Sequence, residues 1–191
     1  MFRPALAFAL VFAVVAPAHA GPKEDLHAAF TKFLALTSFR GAVTSTFGGR
    51  PNTSAIEFQA PDSYRVTSAG RPPGVIVNGT MYFDMGGKTV KVPMGKETIA
   101  QYRNASMLAE IEKTLVVEDL GMDLIGGLPA HKYRYTVGQP HPSTSTIWIG
   151  SGNGLPVQLQ TARTLMGKPS STTIKYDHFN DPSIKIVAPK S

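Results

Sequence analysis

The 191-residue chain contains no cysteine, so disulfides, thiolate metal sites and lipid attachment through an N-terminal cysteine are all excluded. Apolar runs are equally scarce. One stretch, Ala5 to Ala16, is continuous, and no second one follows it. It is shorter than the roughly 20 residues that a bilayer-spanning helix needs. Arg3 precedes it and Ala18-His19-Ala20 follows, a charged start, an apolar middle and a small-x-small end. That order predicts a signal peptide over residues 1–20, cut after Ala20, a mature domain over 21–191 without a transmembrane segment, and a periplasmic address. Nucleic acid is not an expected partner of an exported protein. The net charge of +6 falls to +5 once Arg3 leaves, and the positive residues are scattered, with no two adjacent and Lys88-x-x-Lys91 among the closer pairs. Scattered charge reads first as a solvated surface, and second as attraction to anionic lipid or an acidic partner.

The usual marks of catalysis are also missing. His27, His131, His141 and His178 form no His-x-x-x-His pair, and no Gly-x-Ser-x-Gly elbow occurs. Gly150-Ser151-Gly152-Asn153-Gly154 is followed by neither a helix pattern nor Lys-Ser/Thr, so it is no phosphate loop. Asp177-His178 with Asp181 has the composition of a metal corner, but Asn180-Asp181-Pro182 fits a strand end running into a turn better. No enzyme, metal or cofactor is expected.

What is present is mostly strand. Leu26, Phe30, Phe33 and Leu34 recur at helical spacing, which predicts one helix that opens near Pro22 and ends near Ser38. From Gly41 onward the period is two. Short alternating runs lie at Val43–Phe47, Ala55–Gln59, Tyr64–Thr67, Val75–Val77, Met81–Phe83 and Thr89–Val92. Asn78-Gly79 between two of them is the residue pair that a two-residue type I′ hairpin turn demands. A second helix is predicted at about 98–115, with Ala105, Leu108, Ile111 and Leu115 on one face. Strands resume at Val116–Leu120, Ala130–Val137, Ser145–Ile149, Leu155–Thr161 and Thr172–Tyr176. No linker, repeat or low-complexity segment divides the chain.

So many antiparallel strands must close, split, or curl into a half-barrel with helices across the inner face. Two helices favour the last, a mainly β (α+β) architecture around an apolar cavity. Candidate lining residues are Phe58, Tyr64, Val66, Met81, Phe83, Tyr133, Tyr135 and Trp148, with Leu108 and Ile111 from the covering helix. Ile56, Val157 and Leu159 alternate in the same way, and Met81, Met85, Met94 and Met107 would suit an adaptable wall. Ordinary core packing accounts for each of these residues individually.

Several motifs in this order resemble the LolA-like superfamily of exported carriers. They are the helix ending in Leu36-Thr37-Ser38-Phe39-Arg40-Gly41, then Phe58-Gln59-Ala60-Pro61-Asp62-Ser63-Tyr64-Arg65-Val66, and Asn78-Gly79-Thr80-Met81-Tyr82. In the second half come Gly127-Leu128-Pro129-Ala130-His131-Lys132-Tyr133, Ile147-Trp148-Ile149 and Gly154-Leu155-Pro156-Val157. The resemblance implies an open half-barrel of about eleven strands with a helical lid. It also implies a non-catalytic carrier whose ligand is a lipid or acylated lipoprotein, working with a membrane-bound lipoprotein-handling partner. In the lipoprotein carrier proper, an arginine before the Pro of the second motif helps hold the lid, and Ala60 stands there instead. A different envelope role for the same fold, protein interaction or stress sensing, stays open beside the carrier reading.

Overall fold

The computed structural model describes residues 21–94, 112–138 and 143–189. Helix α1 spans Pro22–Leu34, with proline at its start, Glu24 and Asp25 in its first turn and Lys32 in its last. It stops four residues before the expected end at Ser38. The reason is a contact far along the chain. The Thr37 amide donates to Asn180 Oδ1 at 2.9 Å, and Asn180 in turn donates its amide to the Ser38 carbonyl at 2.8 Å. Ser38 also pairs with Gln59, so the backbone is already extended there.

Eleven strands follow. They are β1 (Ser38–Phe47), β2 (Arg50–Gln59), β3 (Ser63–Ser68), β4 (Arg71–Val77), β5 (Thr80–Met85), β6 (Lys88–Pro93), β7 (Val116–Ile125), β8 (Leu128–Val137), β9 (Ser143–Gly150), β10 (Pro156–Leu165) and β11 (Lys168–Asp177). Each sequence-derived run lies within one of these strands or, for Leu155–Thr161, begins one residue ahead of it. Tight turns join most of them, Asn78 and Gly79 taking the positive φ values of 50° and 73° that their hairpin requires. All belong to one antiparallel sheet in the order β6-β5-β4-β3-β2-β1-β11-β10-β9-β8-β7. The first and last strands pair, Gly41 opposite Tyr176 and Val43 opposite Ile174, so two meanders share one seam. The sheet is open, as a half-barrel is, with β6 and β7 at its ends.

The register decides which face each side chain takes. Phe39, Phe58, Tyr64, Ile76 and Met81 are successive cross-strand partners and share the inner face. Tyr176, Ile174, Leu159, Ile147, Tyr133 and Tyr135 continue it across the seam. Helix α1 lies over this face. Leu26 and Ala29 pack on Tyr133, Tyr135, Ile147 and Ile149, while Phe33 at the other end meets Phe39 and Tyr176.

The outer face is covered in part by the chain after β11. There Ile184 and Ile186 pack on Val75, and the Ile186 amide donates to Gln59 Oε1 at 2.7 Å. Glu57 sits between two arginines on this side. Arg40 Nε donates to it at 2.9 Å, Arg65 Nη1 donates to its other oxygen, and Arg65 Nη2 reaches the Lys185 carbonyl at 2.9 Å.

Candidate functional site

The inner face holds a cavity of about 400 Å³ beneath the C-terminal half of α1. Its lining is Phe33, Phe39, Gly41, Ile56, Tyr64, Val66, Ile76, Met81, Met94, Ile174 and Tyr176. None of these side chains carries a charge. Burial pushes the Tyr176 phenol well above its ordinary range, so its hydroxyl stays neutral at any physiological pH. Aromatic rings form one wall. Phe39 stacks on Phe58 at 5.2 Å between centroids, Phe58 meets Tyr64 at 5.2 Å, and Phe33 meets Phe39 at 4.8 Å and Tyr176 at 5.1 Å edge-on. Met81 and Met94 form a softer part of the wall, because thioether chains repack at little cost. Gly41 lines it with bare backbone, where a Cβ would touch Ile174 and the Tyr176 ring at 3.4 and 3.8 Å.

The volume has a direct chemical meaning. At about 30 Å³ per water-sized group, it takes a string of about thirteen methylenes. It lies at the lower end of the range of about 300–1,000 Å³ for small-molecule sites.

The sequence-derived candidates divide between this cavity and other places. Tyr64, Val66 and Met81 line it, and Phe58, 1 % exposed, packs between the lining rings of Phe39 and Tyr64. Phe83 shares Met81's face two residues further along β5, opposite Val90, and is not part of the lining. Tyr133 and Tyr135 face inward but are packed under the first half of α1, Tyr133 donating its hydroxyl to Asp25 Oδ2 at 2.9 Å. Burial, and then that carboxylate, push the Tyr133 phenol up. Leu108 and Ile111 lie outside the described residues, as does most of the expected second helix, of which residues 112–114 are helical. That end is held to α1. Lys23 donates to the Glu112 carbonyl at 2.8 Å, and His27 pairs with the Glu112 carboxylate.

Trp148 is on the other face. Its neighbours Ile147 and Ile149 join the core under α1, so alternation sends the indole outward. There Nε1 donates to Asp123 Oδ2 at 2.9 Å and Lys132 lies over the ring at 5.1 Å. Of the methionines, Met85 is 62 % exposed at a hairpin end and takes no part in the cavity. Sequence alternation missed Phe33, Phe39, Ile76, Ile174 and Tyr176 as lining. Their signal was present, since each lies on a helix stripe or an alternating strand, but their convergence depends on the β1–β11 seam.

The corner at Asp177, His178 and Asp181 is a turn. β11 ends at Asp177, His178 and Asn180 take positive φ values of 50° and 56°, and His178 pairs with its neighbour Asp177. Among the described residues no group of three potential ligands comes together.

No protein-family model matches the sequence, and no curated protein matches it at a significant level. Solved structures do match. The lipoprotein LppX of Mycobacterium tuberculosis superposes with a TM-score of 0.66 at 14 % identity, over 86 % of this chain and 97 % of that one. LprF of Mycobacterium bovis gives 0.61 at 16 % identity, over 89 % and 97 %. The chain has the LolA-like fold. MucB shares this fold. In its complex with MucA from Pseudomonas aeruginosa it gives a TM-score of 0.53 at 16 % identity, over 83 % of this chain and 57 % of that one. Likeness at this identity speaks of the LolA-like fold alone. The function must be argued from the cavity.

Proposed function

We propose that the protein is a non-catalytic carrier of the cell envelope that shelters one acyl chain of a lipid or acylated lipoprotein. The observation that carries this is the uncharged, aromatic-walled cavity of about 400 Å³ between α1 and the inner sheet face. Transfer of a chain from water into it is worth about 0.8 kcal/mol per methylene, so a chain of twelve or more carbons supplies ample affinity. Release then needs an acceptor, membrane or protein, that offers equal burial. The exported address, the cut after Ala20 and the single domain over 21–191 belong to this proposal. The likeness of fold to LppX, a lipoprotein, fits it.

The test is uptake of a fluorescent long-chain fatty acid by the delipidated mature protein. Met81→Asp places a carboxylate against the chain and should abolish uptake. Lys91→Ala on the outer side of β6 should leave it unchanged. Uptake that survives Met81→Asp, or that does not vary with chain length, would refute the carrier reading.

A second reading has its own support. β7 ends the sheet, and Val116, Met122 and Leu124 on it are 69 %, 62 % and 66 % exposed. An apolar sheet edge accepts an added strand from a partner. MucB, of like fold, has been solved with MucA. An interaction module would bind a peptide at β7 and show no dependence on acyl-chain length.

A further inference from the structure

Two neighbouring hairpins, β1–β2 and β10–β11, stand beyond the rest of the sheet at one end. β2 begins at Arg50, four residues before Ser54, the first to pair with β3. At about 3.3 Å per residue that is an overhang of ~13 Å. β10 likewise continues to Leu165, past Ala162, its last partner on β9. The two hairpins are joined at the seam, Phe47 lying opposite both Arg50 and Ser170.

Their composition is one-sided. From residue 41 to 56 and from 158 to 176 the sequence holds no Asp or Glu. Arg50, Arg163 and Lys168 are exposed near the tips, and none forms an ion pair with a described residue. Lys168 lies over the Phe47 ring at 5.9 Å. Between the hairpins runs a groove of about 560 Å³ lined by Thr46, Arg163, Thr164, Ser170 and Ser171, hydroxyls beside a guanidinium.

The apolar residues at the tips are equally out of place for water. Phe47 is 41 % exposed and Met166 is 89 % exposed. Met166 also takes φ of 50° in its turn, a conformation that suits Asn or Gly and is unfavourable for a long side chain. Aqueous turn chemistry gives no reason for a methionine there. An apolar surrounding does.

We propose that this pair of hairpin tips docks on an anionic phospholipid bilayer, with Met166 and Phe47 entering the interface and Arg50, Arg163 and Lys168 meeting lipid phosphates. The ~13 Å overhang exceeds the headgroup layer, about 5–8 Å thick on each side, so the tips reach acyl carbon while the sheet stays outside. This goes beyond the cavity and stands independently of it.

The chain lacks cysteine, so a single Met166→Cys carries one environment-sensitive dye. The test is flotation of the mature protein with phosphatidylcholine vesicles, with and without about one-third phosphatidylglycerol, at low and at about 1 M salt, where screening shortens to ~3 Å. Binding is expected only with phosphatidylglycerol at low salt, with a blue shift of the dye at position 166. Arg163→Gln with Lys168→Gln should weaken it about 25-fold, near fivefold for each cation. Met166→Ser should weaken the low-salt binding to anionic vesicles, and Lys185→Gln, on the outer face, should change nothing. Far-UV circular dichroism confirms that each variant folds. No flotation with anionic vesicles overturns the proposal and leaves an acidic protein as the patch's partner. An equal loss from Lys185→Gln, or an unshifted dye, overturns it too, because binding would then follow net charge alone. Fatty-acid uptake in free solution, measured on the same variants, reads the cavity separately.

Discussion

Replacing Gly41 by leucine is expected to shorten the chain that the inner cavity holds while leaving the sheet intact. Gly41 lies on β1 opposite Tyr176 and lines the cavity. A Cβ built there would meet Ile174 Cγ2 at 3.4 Å and the Tyr176 ring at 3.8 Å, ordinary van der Waals contact, so the first carbon of the new side chain fits without a backbone shift. The four carbons of the new side chain fill ~120 Å³ at about 30 Å³ each, nearly a third of the space. Capacity then falls from about thirteen methylenes to about nine. In wild type, affinity measured by calorimetry across saturated fatty acids should rise about fourfold per carbon, the equivalent of about 0.8 kcal/mol, and level off near thirteen. In Gly41→Leu the same slope should level off near nine. Octanoate should bind both proteins alike, while a C14 acid loses about 3 kcal/mol, roughly 200-fold in Kd. An unmoved plateau, or octanoate weakened as much as the C14 acid, would refute the assignment of the cavity as the acyl site.

Three other outcomes test the frame around the cavity. Phe58→Ala should destabilise the fold by about 3–5 kcal/mol in urea, because the ring is 1 % exposed and packed between Phe39 and Tyr64, and Phe83→Ala by much less. Asp123 is held below its ordinary carboxyl value of 3.8, first by the Trp148 indole N–H and then by the Leu124 amide. Its ionised form is thus favoured in the fold, and that stabilisation is complete above the ordinary value and lost as pH falls through the lowered one. Asp123→Asn should remove this part of the acid dependence of the urea midpoint, and Trp148 emission should stay unchanged when a fatty acid binds. Arg65→Ala should raise hydrogen exchange at the Ile186 amide, since Arg65 holds the Lys185 carbonyl one residue before it, while acyl affinity is preserved.

The strands were legible because each is a local event: a two-residue period, then glycine or asparagine where the turn needs positive φ. The eleven runs read from the sequence all fall in the sheet, and Asn78-Gly79 marks its hairpin without help from tertiary structure. What alternation cannot decide is the face of a strand that is apolar on both sides. Ile147-Trp148-Ile149 is such a run. Only the partners Asp123 and Lys132, brought close by β7 and β8, show that the indole points outward. The end of α1 was misplaced for a related reason, since Asn180, which holds Thr37 and Ser38, is more than a hundred residues away. The strap formed by Ile184 and Ile186 carries a two-residue period, yet it packs on the sheet and adds no strand. The cavity itself depends on the β1–β11 seam, which sets Gly41, Ile174 and Tyr176 beside Phe39. A pairing between the two ends of a chain leaves no local mark.

Native mass spectrometry of the mature protein recovered from the cell envelope tests the central claim most directly. A carrier should give a species heavier than the polypeptide by the mass of one lipid or acylated peptide, which organic extraction removes and an added C14 acid restores, but not in Met81→Asp. A bare polypeptide mass that no fatty acid shifts, from protein shown to be folded, would contradict it.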